Sequence, residues 1–301
     1  MTDWTLRRVT DLPILADGWE RLAVQVSQDG ALLLVSARSC DLRHLGAMPN
    51  VPDGEAADLR LDIVTPTGAQ ELTIPKVPLR YPMPEILPDG RIVLVGSRAR
   101  YASRGPADRN VILYDPVTGD RTSFPVGDAV AHVQVDRLGR IWISYFDEAW
   151  PNPGLVCLSP DGERLWDFPQ DNAPHDIFDC YALNVAGKSA YLYYYTDFPL
   201  CRVGPDFSTT FWGCDLEGCA QVALHGQHAL FSAQYNEPVN RSHLMQMTDA
   251  QLTRRATVTL RLPDDAAFPT RHGVQMRGSG VHVITDTTWY SGEMSDLITR
   301  H

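Results

Sequence analysis

The chain has 301 residues, 44% hydrophobic and 21% charged, with 22 Gly, 22 Pro and a formal net charge of −11. This composition excludes a disordered chain, a coiled coil and a collagen. The acidic balance argues against a nucleic-acid partner, because phosphate backbones are met by a concentrated basic face.

The N-terminal segment, Met1 to Arg7, lacks the basic, apolar and small-residue order of an export signal. No apolar run approaches the ~20 residues needed to span a bilayer. A cytoplasmic protein without a membrane partner is therefore expected. In that compartment the six cysteines (40, 157, 180, 201, 214 and 219) are expected as thiols.

Residues 2–10 read as a strand, and a repeat begins shortly after them. Leu22 to Ser36 is a strand, a turn at Gly30 and a second strand. The same shape recurs from Pro84 to Gly96 around Gly90 and from Val133 to Tyr145 around Gly139. Weaker copies centre on Gly187, Gly226 and the Gly278–Gly280 turn. A glycine between two alternating apolar runs is a hairpin signal. A second strand pair follows in several copies, around Gly68, Gly119 and Gly162. Four short strands per repeat of ~40–60 residues are the signature of a propeller blade.

Six copies fill the chain as one domain: about 18–78, 79–127, 128–171, 172–213, 214–264 and 265–301. The last copy is short of an outer strand, so residues 2–10 are expected to complete it and close the ring. The fold class is all-β, a six-bladed β-propeller, with seven blades as the alternative if the long first copy is two. Helical periodicity is confined to Thr248–Arg255, at most one or two turns.

Units such as Asp89, Gly90 and Arg91 to Val95, or Ser159 to Trp166 around Gly162, resemble the NHL, SMP-30/gluconolactonase and streptogramin-lyase group of propellers. The resemblance covers most of the chain and is one of fold pattern, without a full catalytic signature of any one member. It implies either lactone hydrolysis or lyase chemistry with a divalent cation, or partner binding without catalysis.

Propeller ligands occupy the axial mouth, which the repeat locates. Eight residues past each turn glycine are Arg38, Arg98, Asp147, Tyr195, Gln234 and Asp286, followed by Arg100, Tyr101, Glu148, Trp150, Asp197, Tyr235, Asn236, Glu237 and Trp289. Arginines cluster on the first two copies and acids on the next three. Arg38, Arg98 and Arg100 are the candidates to hold an anionic substrate, with Tyr101, Trp150, Cys180, Tyr195, Tyr235, Asn236 and Trp289 as further binding residues. Asp147, Asp197 and Glu237 are the candidate ligands of a divalent cation. The alternative is a rim of solvated, mutually paired charges.

At the inner-strand entries stand His132, Cys180 and Cys219, with His272 beside the last entry. A thiol near an imidazole suits a nucleophile or a soft metal, while a small residue also fits a crowded axis. His175 and Asp179 stand in the entry loop of the fourth copy. With Glu148, His132 and His272 they are the acid/base candidates. The expected function is an enzyme acting on a small polar or anionic molecule as a lyase, hydrolase or isomerase. The alternative is a non-catalytic propeller that binds a protein partner or small ligand through the exit-loop aromatics.

Overall fold

The computed structural model describes residues 2–45, 48–100, 107–149, 153–169, 176–263, 266–270 and 273–299. Two short strands open the chain, β1 (Thr2–Thr5) and β2 (Arg7–Asp11). Pro13–Phe168 forms one compact unit; Pro169–His301 forms a second together with Met1–Leu12. The fold is an all-β, six-bladed β-propeller, with three blades in each unit.

In the Pro13–Phe168 unit, blade one contains β3 (Trp19–Val26) and β4 (Leu32–Arg38). A two-stranded hairpin, β5 (Arg43–Leu45) and β6 (Met48–Asn50), interrupts it before β7 (Ala57–Thr65) and β8 (Gly68–Val77). That hairpin accounts for the length of the first copy, so the seven-blade alternative fails. Blade two is β9 (Arg80–Ile86), β10 (Ile92–Arg98), β11 (Val111–Tyr114) and β12 (Arg121–Phe124). Blade three is β13 (Val130–Val135), β14 (Ile141–Tyr145), β15 (Leu155–Leu158) and β16 (Arg164–Asp167).

The run Ile92 to Val95 is buried throughout because β10 is covered on both faces. Ile92 and Leu94 pack into a core with Leu33, Val35, Leu59 and Leu61 of blade one. Val93 and Val95, on the opposite face, join Val133, Val135, Ile141 and Ile143 of blade three. Side chains of a strand alternate between faces, so a strand sandwiched between two blades must be apolar at every position. The turns repeat as well. Ser27 N–H bonds Ala31 C=O and Gly30 N–H bonds Ser27 C=O, with φ of 85° at Gly30. The same pair of bonds recurs at Asp136, Gly139 and Arg140. A turn ending in a left-handed residue selects glycine at that place.

In the other unit, blade four is β17 (Asp179–Ala186), β18 (Ser189–Tyr195), β19 (Leu200–Val203) and β20 (Thr209–Trp212). Blade five is β21 (Val222–His225), β22 (His228–Ser232), β23 (Arg241–Met247) and β24 (Leu252–Arg261). The segment expected as a helical turn, Thr248–Arg255, is instead a tight turn closed by Thr248 N–H to Gln251 C=O and then strand β24. Pairing with β23 overrides its weak helical pattern. Blade six is β25 (Val274–Arg277), β26 (Gly280–Ile284) and β27 (Thr288–Glu293), with β2 as its fourth strand. A short helix, α1 (Met294–Ile298), follows.

The N-terminal segment serves two blades. While β2 completes blade six, β1 pairs in parallel with the outer edge of β24, Trp4 opposite Leu260. Trp4 and Leu6 are buried in a core with Leu244, Val258, Val281 and Val283. Gly292 leaves room for them: a Cβ there would lie 2.7 Å from Trp4 Cζ2 and 2.8 Å from Leu6 Cδ2. Gly292→Ala is therefore expected to cost ~1–3 kcal/mol by overpacking, read as a lower urea midpoint. An unchanged midpoint would mean that Trp4 is free to shift.

Candidate active site

The Pro13–Phe168 unit contains a cavity of about 520 Å³ where the end of β8, the start of β9, the end of β10 and β12 converge. Its walls carry six cations (Lys76, Arg80, Arg98, Arg100, Arg109 and Arg121) and two carboxylates, Asp53 and Asp108. Asn110 fixes the local backbone: its amide donates to Gly96 C=O at 3.0 Å and Gly127 C=O at 2.8 Å, and its Oδ1 accepts Val126 N–H at 3.0 Å.

Half of the cations are neutralised by neighbours. Arg80 pairs with Asp53 at 3.1 Å and Arg98 with Asp128 at 3.1 Å. Arg98 also donates to Glu148, which lies with Asp147 on a single 3-10 turn after β14. Arg100 forms a fork on Asp108, Nε–Oδ1 2.9 Å and Nη2–Oδ1 2.8 Å. Burial pushes the Asp108 carboxyl up, but hydrogen bonds and charge from Arg100 outweigh it and hold the group below the usual carboxylate range.

The other three cations pair with no carboxylate among the described residues. Arg109 donates Nε to Ser123 Oγ at 3.1 Å and Nη2 to the Ser123 carbonyl. Arg121 donates Nη1 to Lys76 C=O at 3.0 Å and Nη2 to Pro75 C=O, and lies over the Tyr114 ring at 5.9 Å. Lys76 holds a left-handed backbone with φ of 50°, its N–H bonded to Asp58 Oδ1 at 2.8 Å. That conformation is costly for a lysine and persists because the surroundings enforce it.

Of the residues expected from sequence, the cavity gathers Arg98 and Arg100, with Glu148 bonded to Arg98. Arg38 lies elsewhere, stacked over Trp19 at 5.8 Å. His132, on the inner strand β13, bonds Ser144 Oγ through Nδ1 at 2.8 Å. It keeps some exposure, yet dense surroundings lower its pKa to about 4, so it is neutral at pH 7. Gln25 on β3 donates to Glu85 Oε1 at 3.1 Å and to Val133 C=O at 2.8 Å, tying the three inner strands together. Lys76, Arg109, Arg121 and Glu85 were not singled out from the sequence. One signal was available: Lys76 is one of only two lysines, the other being Lys188. Tyr101, Trp150, His175 and His272 lie outside the described residues.

In the other unit, Asp179 starts β17 opposite Tyr195. Cys180 is buried, with its thiol donating to Ala182 C=O at 3.5 Å, and Cys219 is buried in the blade four–five core. The six cysteines, all within described residues, form no disulfide. Tyr195 and Tyr235 are exposed; Tyr195 meets Phe178 and Phe198 edge-on or tilted, and Tyr235 meets Tyr181. Asp197 and Asn236 occupy left-handed backbone at φ of 65° and 63°. Trp289 is buried in β27, its Nε1–H donating to His282 Nδ1 at 3.2 Å.

Glu237 is engaged by protein groups: Oε2 receives Gln234 N–H at 2.9 Å and lies 2.7 Å from His243 Nε2, and Arg241 is 3.6 Å from Oε1. Burial raises its pKa, but these partners hold it below the ordinary value. Among the described residues no group of three His, Cys, Asp or Glu that could hold an ion is found.

No protein-family model and no curated protein matches the sequence. Solved structures do. Virginiamycin B lyase from Staphylococcus aureus aligns with a TM-score of 0.51 and 9% identity over 94% of this chain and 98% of that one. A streptogramin B lyase structure gives 0.51 and 11% over 93% and 85%, and a chain of a mitotic checkpoint complex gives 0.53 and 8% over 95% and 93%. The chain thus resembles propeller lyases at the level of the fold, and the fold also occurs in an assembly of another kind. Among the described residues, no helix is long and apolar enough to cross a membrane.

Proposed function

We propose that this protein is an intracellular enzyme that binds a small anionic molecule in the cavity between β8, β10 and β12 and acts on it by lyase, hydrolase or isomerase chemistry. The observation that carries the reading is the charge of the cavity: six cations line it, and three of them, Lys76, Arg109 and Arg121, pair with no carboxylate among the described residues, in a chain whose net charge is −11. Such a concentration opposes the field of the whole protein and attracts anions. Charge-assisted hydrogen bonds from arginine forks then fix the ligand. Glu148, bonded to Arg98 at the edge of this group, is the candidate base.

A thermal-shift panel of anionic metabolites, followed by titration calorimetry, is expected to find a ligand that raises the melting temperature. Arg100→Gln removes one positive charge and leaves the Asp108 carboxylate without its guanidinium beside the cavity, and is expected to weaken that ligand about tenfold through the changed local charge. Glu148→Gln is expected to abolish turnover while binding persists. Full affinity in Arg100→Gln would remove the cavity from the proposal. Full turnover in Glu148→Gln would remove the base.

A second reading has its own observation. Phe178, Tyr195 and Tyr235 are exposed aromatics on the second unit and belong to one chain of ring contacts with Tyr181 and Phe198. Exposed aromatics of this kind anchor protein interfaces. A partner that Tyr195→Ser and Tyr235→Ser release, with ligand binding at the cavity intact, would support it.

A further inference from the structure

We propose that the ligand is a phosphorylated small molecule whose phosphoryl dianion is held by Lys76, Arg109 and Arg121. This rests on the reading that the cavity is a ligand site and names the chemistry it selects. The three cations line one wall system; the guanidiniums of Arg109 and Arg121 donate to neutral oxygens, a serine hydroxyl and the carbonyls of Pro75, Lys76 and Ser123, and the Lys76 ammonium is in no ion pair among the described residues. The charges on Arg80, Arg98 and Arg100 are already met by Asp53, Asp128, Glu148 and Asp108. Among the described residues, the charge without a carboxylate partner is therefore local to β8, β12 and the segment before β11.

A carboxylate brings one negative charge and two oxygens, too little for three positive charges. A phosphate monoester brings close to two charges and three terminal oxygens, which can meet the guanidinium N–H groups not used on Ser123, Pro75 and Lys76 together with the ammonium. Ser123, two residues after Arg121 on β12 and so on the same face, adds a hydroxyl to the wall. The strained Lys76 backbone fits the same role, since strain at a lysine is retained where its direction matters. The cavity volume of about 520 Å³ lies within the range of small-molecule sites.

The test is titration calorimetry of the full chain with phenyl phosphate, phenyl sulfate and citrate at one ionic strength, at pH 7.5 and 5.0. No histidine lines the cavity among the described residues, and its carboxylates Asp53 and Asp108 face all three probes alike, so phenyl sulfate reports any titration of the protein itself. Phenyl phosphate is expected to bind at pH 7.5 and to weaken about tenfold at pH 5.0, where a group of pKa near 6 is mostly monoanionic. Phenyl sulfate, singly charged throughout, is expected to bind at least ~10-fold more weakly at pH 7.5 and to change little with pH. Lys76→Met and Arg109→Gln are each expected to weaken phenyl phosphate at least ~5-fold with melting temperatures unchanged. Equal binding of sulfate and phosphate, or of citrate in preference to both, with Lys76→Met and Arg109→Gln silent, overturns the phosphoryl assignment and leaves an anion site standing. Failure of all three probes overturns both readings.

Discussion

Replacing Asp136 with alanine is expected to remove about 3–5 kcal/mol of stability, the range found when one partner of a buried ion pair is deleted. Asp136 is fully buried in the β13–β14 turn. Its Oδ1 accepts Leu138 N–H at 2.8 Å and Arg140 N–H at 3.0 Å; its Oδ2 accepts Arg140 Nε at 2.6 Å and Trp142 Nε1 at 3.2 Å. Arg140 is itself buried and lies over the Trp142 ring at 5.3 Å. Alanine would remove the carboxylate that a buried guanidinium and an indole N–H both use. Asp136→Asn keeps an acceptor without the charge and should fall between. The measurement is equilibrium urea unfolding, with a melting temperature lower by on the order of 10 °C as its counterpart. A cost below ~1 kcal/mol for Asp136→Ala would show that water reaches the site and that burial of the pair has been misjudged.

The second large effect is acid destabilisation through two histidines. Burial lowers His132 in one unit and His282 in the other to about 4. The unfolded chain takes up these protons near pH 6.5, whereas the folded chain does so only near pH 4. Above pH 6.5 the two sites leave stability unchanged. As the pH falls from 6.5 to 4 the unfolded state gains protons that the native state refuses, so stability declines, and below 4 the decline from these sites stops. A shift of this size corresponds to about 3 kcal/mol at His282, and less at His132, which keeps some exposure. Each imidazole has a defined partner: Ser144 Oγ for His132 and Trp289 Nε1–H for His282. Glutamine at either position retains a hydrogen-bonding group and does not titrate. His132→Gln and His282→Gln are expected to flatten the stability–pH curve between pH 6.5 and 4, and the double variant to flatten it most. Curves parallel to the parent in all three would show that neither imidazole is kept neutral by the fold.

The repeat could be read from sequence because each blade is assembled from neighbours in the chain. Gly30, Gly90 and Gly139 mark turns whose hydrogen bonds close within five residues, and runs such as Ile92 to Val95 declare that both faces are covered. Thr248–Arg255 was misread for the converse reason. Its strand state is imposed by pairing with β23, which no local pattern announces. The N-terminal segment was legible as a missing strand, but not its division between two blades, since the parallel pairing of β1 depends on the edge that β24 happens to leave open.

The candidate site was partly legible. Arg98 and Arg100 follow from the position after a turn glycine, because that position repeats. Lys76, Arg109 and Arg121 come from the ends of outer strands and from a loop, positions that the repeat does not align, so their convergence left no periodic trace. Trp289 shows the same limit, since pairing with Ile284 turns it inward against His282.

The amino-acid sequence by itself determined the all-β class, the number of blades once the extra hairpin is set aside, and the acidic charge of the chain. Those properties reside in local alternation, turn chemistry and composition, which act over a few residues. The tertiary structure alone decided which charges meet a partner and which do not. Pairs such as Arg80–Asp53 and Arg98–Asp128, each at 3.1 Å, join residues far apart in the chain, and the packing of adjacent blades sets those distances.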